Sequence, residues 1–119
     1  MAKVEFYRDK TGREPIRDLL VELKVKAEAS KNERIRFEKI LQYIRILEEY
    51  GTRAGMPYVK KIDEDLWELR PLKDRIFFFY CGSGSTYILL HHFVKKTRKT
   101  PAKELARARV NLMELEGRE

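Results

Sequence analysis

Cations gather at the ends of short alternating segments in the second half of this 119-residue chain: Lys60 and Lys61, Arg70 and Arg75, then Lys95, Lys96, Arg98 and Lys99. Such side chains, grouped on one face, bind phosphate; arginine does so with a planar fork that meets two oxygens at once. Two of them have a geometry that can be argued. Trp67 to Arg70 and Arg75 to Tyr80 read as strands flanking Pro71-Leu72-Lys73-Asp74, a hairpin loop of ordinary length with Pro at an early turn position. Arg70 and Arg75 are then expected to face each other. Directly opposed like charges destabilise adjacent strands, so the pair implies an anion that both guanidinium groups share.

Strand alternation sorts the neighbours of this pair. Glu68, Arg70 and Arg75 fall on one face with Phe77 and Phe79, while Trp67, Leu69, Ile76, Phe78 and Tyr80 fall on the other, toward the helices. A further strand from Thr86 to about Lys96 separates His91, with Leu89 and Phe93, from His92, with Leu90, Val94 and Lys96. At most one histidine joins the arginines, and the register across Gly82-Ser83-Gly84 does not fix which. His92 is taken as the candidate, because an imidazole titrates near neutrality and serves as acid or base. Glu68, two residues from Arg70, is a candidate base, with a salt bridge to Arg70 or Arg75 as the alternative.

Stepping outward, Val4 to Tyr7 alternates as a first strand before the turn residues Asp9 to Gly12. Pro15 suits the first turn of a helix whose buried stripe is Ile16, Leu19, Leu20 and Leu23. Ser30-Lys31-Asn32-Glu33 has capping-box spacing, and the helix it starts carries Ile35, Ile40, Leu41, Ile44 and Leu47 inward until Gly51 stops it. Beyond Gly55-Met56-Pro57 the period becomes alternating, with strands at Tyr58 to Ile62, Leu66 to Arg70, Arg75 to Cys81 and Thr86 to Lys96. Thr100-Pro101 reads as N-cap and first residue of a closing helix that buries Leu105, Ala108, Leu112 and Leu115. The expectation is an α+β domain spanning residues 1–119, its helices on one side of a mainly antiparallel sheet.

Composition excludes several classes. The longest apolar stretches, Ile76 to Cys81 and Tyr87 to Leu90, are far shorter than the ~20 residues of a spanning helix, and Met1 to Phe6 lacks an apolar signal region. The lone Cys81 forms no internal disulfide and is compatible with the cytoplasm. One cysteine, two adjacent histidines and no spaced acidic loop make no metal centre, and Gly82-Ser83-Gly84 lacks the continuation of a phosphate loop. No cofactor is expected. The net charge of +7 concentrates between Lys95 and Arg109, where Lys103, Arg107 and Arg109 join the four cations already named against Glu104 alone. A segment of this kind attracts polyanions with strong salt dependence.

Five stretches together resemble the RelE/ParE toxin superfamily and, within it, the HigB-type, phage-derived toxins. They are Phe6-Tyr7, Gly51-Thr52-Arg53 through Pro57, Leu66 to Leu72, Asp74 to Phe77, and His91 to Thr97 through Thr100-Pro101. The resemblance covers nearly the whole chain, and the last three stretches are its most specific part. It implies a RelE-like sheet of four to five strands with two N-terminal helices and one C-terminal helix. It also implies a toxin that cuts messenger RNA on the translating ribosome and is neutralised by a cognate helix-turn-helix, HigA-like antitoxin. The implied chemistry is metal-free attack of a 2′-hydroxyl on the neighbouring phosphodiester.

That chemistry needs the hydroxyl deprotonated, the extra phosphorane charge stabilised and the leaving oxygen protonated. By resemblance Arg75 holds the most consistently basic position of RelE-like enzymes and Lys96 a second cation at the end of the last long strand; Arg70 stands opposite Arg75. These three are the expected phosphate residues, with Glu68 and His92 for proton transfer. Lys60, Lys61, Lys95, Arg98, Lys99, Lys103 and Arg107 are expected to hold the rest of the RNA. Departures matter too: the lysines that RelE-like members often carry on the strand of Leu66 and Glu68 are absent here, as is an evident C-terminal tyrosine. A ParE-like inhibitor of DNA gyrase and a non-catalytic RNA-binding module are the alternatives.

Overall fold

Pro15, with its φ already helical and no amide hydrogen to leave unpaired, opens α1 (Pro15–Lys26), and the Ser30 hydroxyl accepts the Glu33 amide to open α2 (Lys31–Tyr50). Gly51 ends α2 at φ 62° and ψ −153°, a conformation reserved for glycine, and a 3-10 turn, Gly51–Ala54, follows. The computed structural model describes residues 2–82 and 85–118. Its strands are β1 (Lys3–Phe6), β2 (Val59–Lys61), β3 (Leu66–Leu69), β4 (Asp74–Cys81) and β5 (Thr86–Val94), and α3 (Ala102–Glu116) closes the chain. They form one five-stranded sheet in the order β1-β5-β4-β3-β2, antiparallel except that β1 runs parallel to β5. The fold is α+β, as expected. Of the Gly82-Ser83-Gly84 connection, Ser83 and Gly84 lie outside the described residues.

The helices do not share one side of the sheet. Ile16, Leu23, Ile40, Ile44 and Leu47 from α1 and α2 pack on Leu69, Ile76, Phe78, Tyr87 and Leu89. Ala108 and Leu112 from α3 pack on Leu66, Phe77, Leu90 and Phe93, the residues of opposite parity. Phe77 and Phe93 explain the difference: both faces of β4 and β5 are apolar, so both need cover. Each of these helices was expected to bury apolar residues, and α3 buries its own against the face that carries Glu68 and Arg75.

A bulge also breaks the expected alternation of β5. Phe77 pairs with His91 and Phe78 with Leu89, which leaves Leu90 as the extra residue. Leu89 therefore points toward α1 and α2 while Leu90, His91 and Phe93 serve the α3 face. His92 is turned to the other face. Ile35 departs as well: it is 41% exposed, and Arg36 takes the inward position one turn before Ile40.

Candidate functional site

The α3 face of the sheet carries a cluster of charge at the end where β3 finishes and β4 begins. Glu68, one residue from the end of β3, pairs with Lys60 of β2 on one side and Phe77 of β4 on the other. Arg70 follows, its amide donating to the Tyr58 carbonyl at 3.0 Å. Arg75 lies on β4 opposite Phe93, and Lys95 continues that line just past β5, its amide donating to the Lys73 carbonyl at 2.8 Å. Alternation brings Lys60, Glu68, Arg70, Arg75 and Lys95 to one face.

At the centre is the Glu68 carboxylate, only 1% exposed. Its Oε1 stands 3.4 Å from Arg70 Nε and 3.8 Å from Arg75 Nε. The Thr100 hydroxyl donates to Oε2 at 3.4 Å. The anion that the opposed arginines share is thus the chain's own. Thr100 does not cap α3, whose N-cap is Pro101 without a side-chain bond; its hydroxyl is spent on Glu68 instead. The arginine side chains are 17% and 11% exposed, and neither Nε has a hydrogen-bond partner: Arg75 Nε is too far from the carboxylate, and Arg70 Nε meets it off the line of its N–H bond. Arg75 Nη1 donates to the carbonyls of Leu72 at 2.7 Å and Asp74 at 2.9 Å, and Arg70 Nη1 leans on Met56 Sδ at 3.2 Å.

Electrostatics follow from this crowding. Burial and then the Arg70 charge push the Arg75 pKa below its ordinary value, with Glu68 opposing. Lys95 is pushed down by burial first and then by Arg75, with Arg70 and Lys60 adding to it and Glu68 again opposing. One carboxylate sits among four cations. The cluster keeps a positive excess around one carboxylate, with Lys95 held below its ordinary pKa at its edge.

Other expected residues are placed elsewhere. Lys96 lies past the end of β5, exposed, and lines a separate groove with Val94, Thr97, Lys103 and Glu104; Lys95, not Lys96, keeps the parity of Arg75 and Phe93. His92 leaves the arginines because the Leu90 bulge inverts the strand, and its Nε2 contacts Asp74 Oδ1 at 2.7 Å on the α2 side. His91 takes the α3 face and contacts Glu104 Oε1 at 2.8 Å. Glu68 occupies the salt-bridge alternative, since both of its oxygens are engaged and water scarcely reaches it. Lys61 pairs with Trp67 and lies over that ring at 5.9 Å, on the face opposite Lys60. Arg98 and Lys99 are exposed on the β5–α3 connection, Lys103 is exposed at the start of α3, and Arg107 lines a cleft with Tyr7, His91 and Glu114. Asp63 holds Arg109 in an ion pair.

Sequence reasoning overlooked two residues behind the pocket, Asp74 and Arg36. Asp74 resembles a turn residue, and nothing in its type marks it as buried. Arg36 did carry a signal: it sits in the register of Ile40, Ile44 and Leu47, where a cation is out of place unless a buried anion meets it.

A five-stranded mixed sheet is thus flanked by helices on both faces, with a basic cluster at one end. Residues 27–113 match the family described as Phage derived protein Gp49-like (DUF891), from the end of α1 through most of α3. The chain belongs to this RelE/ParE-like toxin family. No curated protein matches it. Among the described residues no helix is long and apolar enough to cross a membrane, and no group of three or more His, Cys, Asp or Glu residues is placed to hold a metal ion.

Proposed function

We propose that this chain is the HigB-type toxin of a type II toxin–antitoxin pair and cleaves messenger RNA on the translating ribosome. The observation that carries the reading is the convergence of Arg70, Arg75 and Lys95 on the buried Glu68 carboxylate. Attack by a 2′-hydroxyl adds negative charge to a phosphate, and preformed donors aimed at that phosphate lower the barrier. Arg70 and Arg75 supply the donors. Glu68 acts as their counter-ion and holds the forks in place, so the base and acid are sought elsewhere. Lys95 is the best-placed group, because a lysine held below its ordinary pKa keeps more of its neutral, proton-accepting form. Lys60 and the exposed Lys103, Arg98 and Lys99 attract the flanking backbone. The partner that silences the protein is a helix-turn-helix antitoxin of the HigA type, and the site of action is the cytoplasm, where ribosomes are.

Expression without a partner, followed by mapping of transcript ends, tests this. Growth arrest with new 5′ ends inside translated codons is expected. Arg75→Ala is expected to lower single-turnover cleavage at saturating ribosomes by about a hundredfold or more while ribosome affinity falls much less. DNA breaks with translation intact would replace this reading by gyrase inhibition, and RNA binding without new ends would replace it by a non-catalytic module.

A further inference from the structure

Asp74 and Arg75 are consecutive on β4 and therefore point to opposite faces of the sheet. On the α3 face, Arg75 grips the turn itself, through the Leu72 and Asp74 carbonyls. On the α2 face, the Asp74 carboxylate, 1% exposed, is held from two further elements. Arg36 of α2 donates to both oxygens, Nη2 to Oδ1 at 2.7 Å and Nε to Oδ2 at 3.1 Å, and His92 Nε2 lies 2.7 Å from Oδ1. Arg36 is in turn steadied by Glu33, 3.2 Å away. Between the two faces is a strained turn: the Asp74 amide closes it on the Pro71 carbonyl at 3.0 Å, but Leu72 has φ 55°, a left-handed conformation that L side chains rarely adopt and that surrounding contacts must maintain.

We infer that Asp74 is a positioning residue: anchored from behind the sheet by Arg36 and His92, it fixes the hairpin turn whose carbonyls hold the Arg75 guanidinium in the phosphate pocket. The connection is mechanical. If the carboxylate lets go of α2 and β5, the Leu72 turn is free to relax toward an unstrained conformation, and the carbonyls that aim Arg75 move with it. A buried two-point contact to Arg36 has the rigidity for this, since a fork and a carboxylate meet in one plane only. His92, separated from the phosphate by the sheet, then serves catalysis through Asp74 and touches no substrate.

The catalytic consequence rests on the reading of the pocket as an RNA-cleaving site, so the test uses two signals. Asp74→Asn keeps the size of the side chain and removes its charge. In folded D74N, assayed well below its melting transition, single-turnover cleavage at saturating ribosomes is expected to fall roughly ten- to a hundredfold, the scale of a small misplacement of a catalytic group, with ribosome affinity little changed. The Nε–H resonance of Arg75 in the protein NMR spectrum is expected to shift, and D74N added to R75A is expected to slow cleavage no further. His92→Gln, which removes one contact only, should lie between wild type and D74N and carries the same test if D74N does not fold. Wild-type cleavage with an unmoved Arg75 resonance in a folded variant overturns the positioning role. A wild-type protein that cleaves no RNA overturns the function proposed above, and the Arg75 resonance alone then decides whether Asp74 holds the arginine.

Discussion

Lys95 and Lys96 are adjacent, of the same type, and on structural grounds belong to different places. Lys95 shares the crowded pocket with Arg75, whereas Lys96 stands in solvent beside Lys103. Lys95→Ala is therefore expected to reduce single-turnover cleavage by roughly a hundredfold, within the range of a lost general acid or base, and to flatten its pH dependence. Lys96→Ala should leave the chemical step within about threefold, which is RT-scale noise on a barrier. The reverse order would move the reactive lysine to the groove of Lys103. Arginine positions 70 and 75 were legible in the sequence because a hairpin fixes its own register, and so was the need for a shared anion. That the anion is Glu68 was legible only as one alternative of two, since alternation says which face a carboxylate takes but not whether water reaches it.

The elements were legible wherever a local signal marked them: Pro15 at the start of α1, Ser30 at the start of α2, and Gly51 at its end. What failed was long-range. Neither the side of the sheet chosen by α3 nor the Leu90 bulge has a local signature, and the bulge alone carried His92 away from the arginines. Gly51 shows how tightly one of the legible signals is enforced. A Cβ built there would stand 2.5 Å from Tyr87 Oη, which accepts the Thr52 amide at 3.2 Å. Gly51→Ala is expected to cost about 2–3 kcal/mol, most of it from the glycine-only backbone conformation. Adding Tyr87→Phe, which removes the obstructing oxygen, should cost less than the sum of the two single changes; strict additivity in urea melts would show that the hydroxyl makes no such contact. Ser30→Ala, by contrast, removes only a cap and should cost about 1 kcal/mol.

For the whole molecule, charge and acidity set the working range. Asp74 links α2, β4 and β5, and although burial alone would raise its pKa, the hydrogen bonds and charges of His92 and Arg36 hold it below the ordinary 3.8. A carboxylate lowered in the folded state contributes stability above its unfolded pKa and loses it as pH falls through the folded value. The stability gap between wild type and D74N should hence be full near pH 7 and close progressively below about pH 4, a trend denaturant melts across that range would reveal; a constant gap would mean that the charge of Asp74 is idle. Salt reports on the proposed RNA face. Lys60 lies on the pocket side of β2 and Lys61 on the other, so K60A should reduce the slope of log affinity against log salt for single-stranded RNA by about 0.7, and K61A should leave it unchanged. The parallel pairing of β1 with β5 adds a consequence in time. Lys3 finds its partner only at Thr86, and Lys95 emerges later still. At roughly 5–20 residues per second, the ribosome carries the first strand unseated for several seconds, and a message interrupted before the codon for Lys95 yields a chain with no finished pocket. Under the function proposed above, such a chain is inert for most of its own birth.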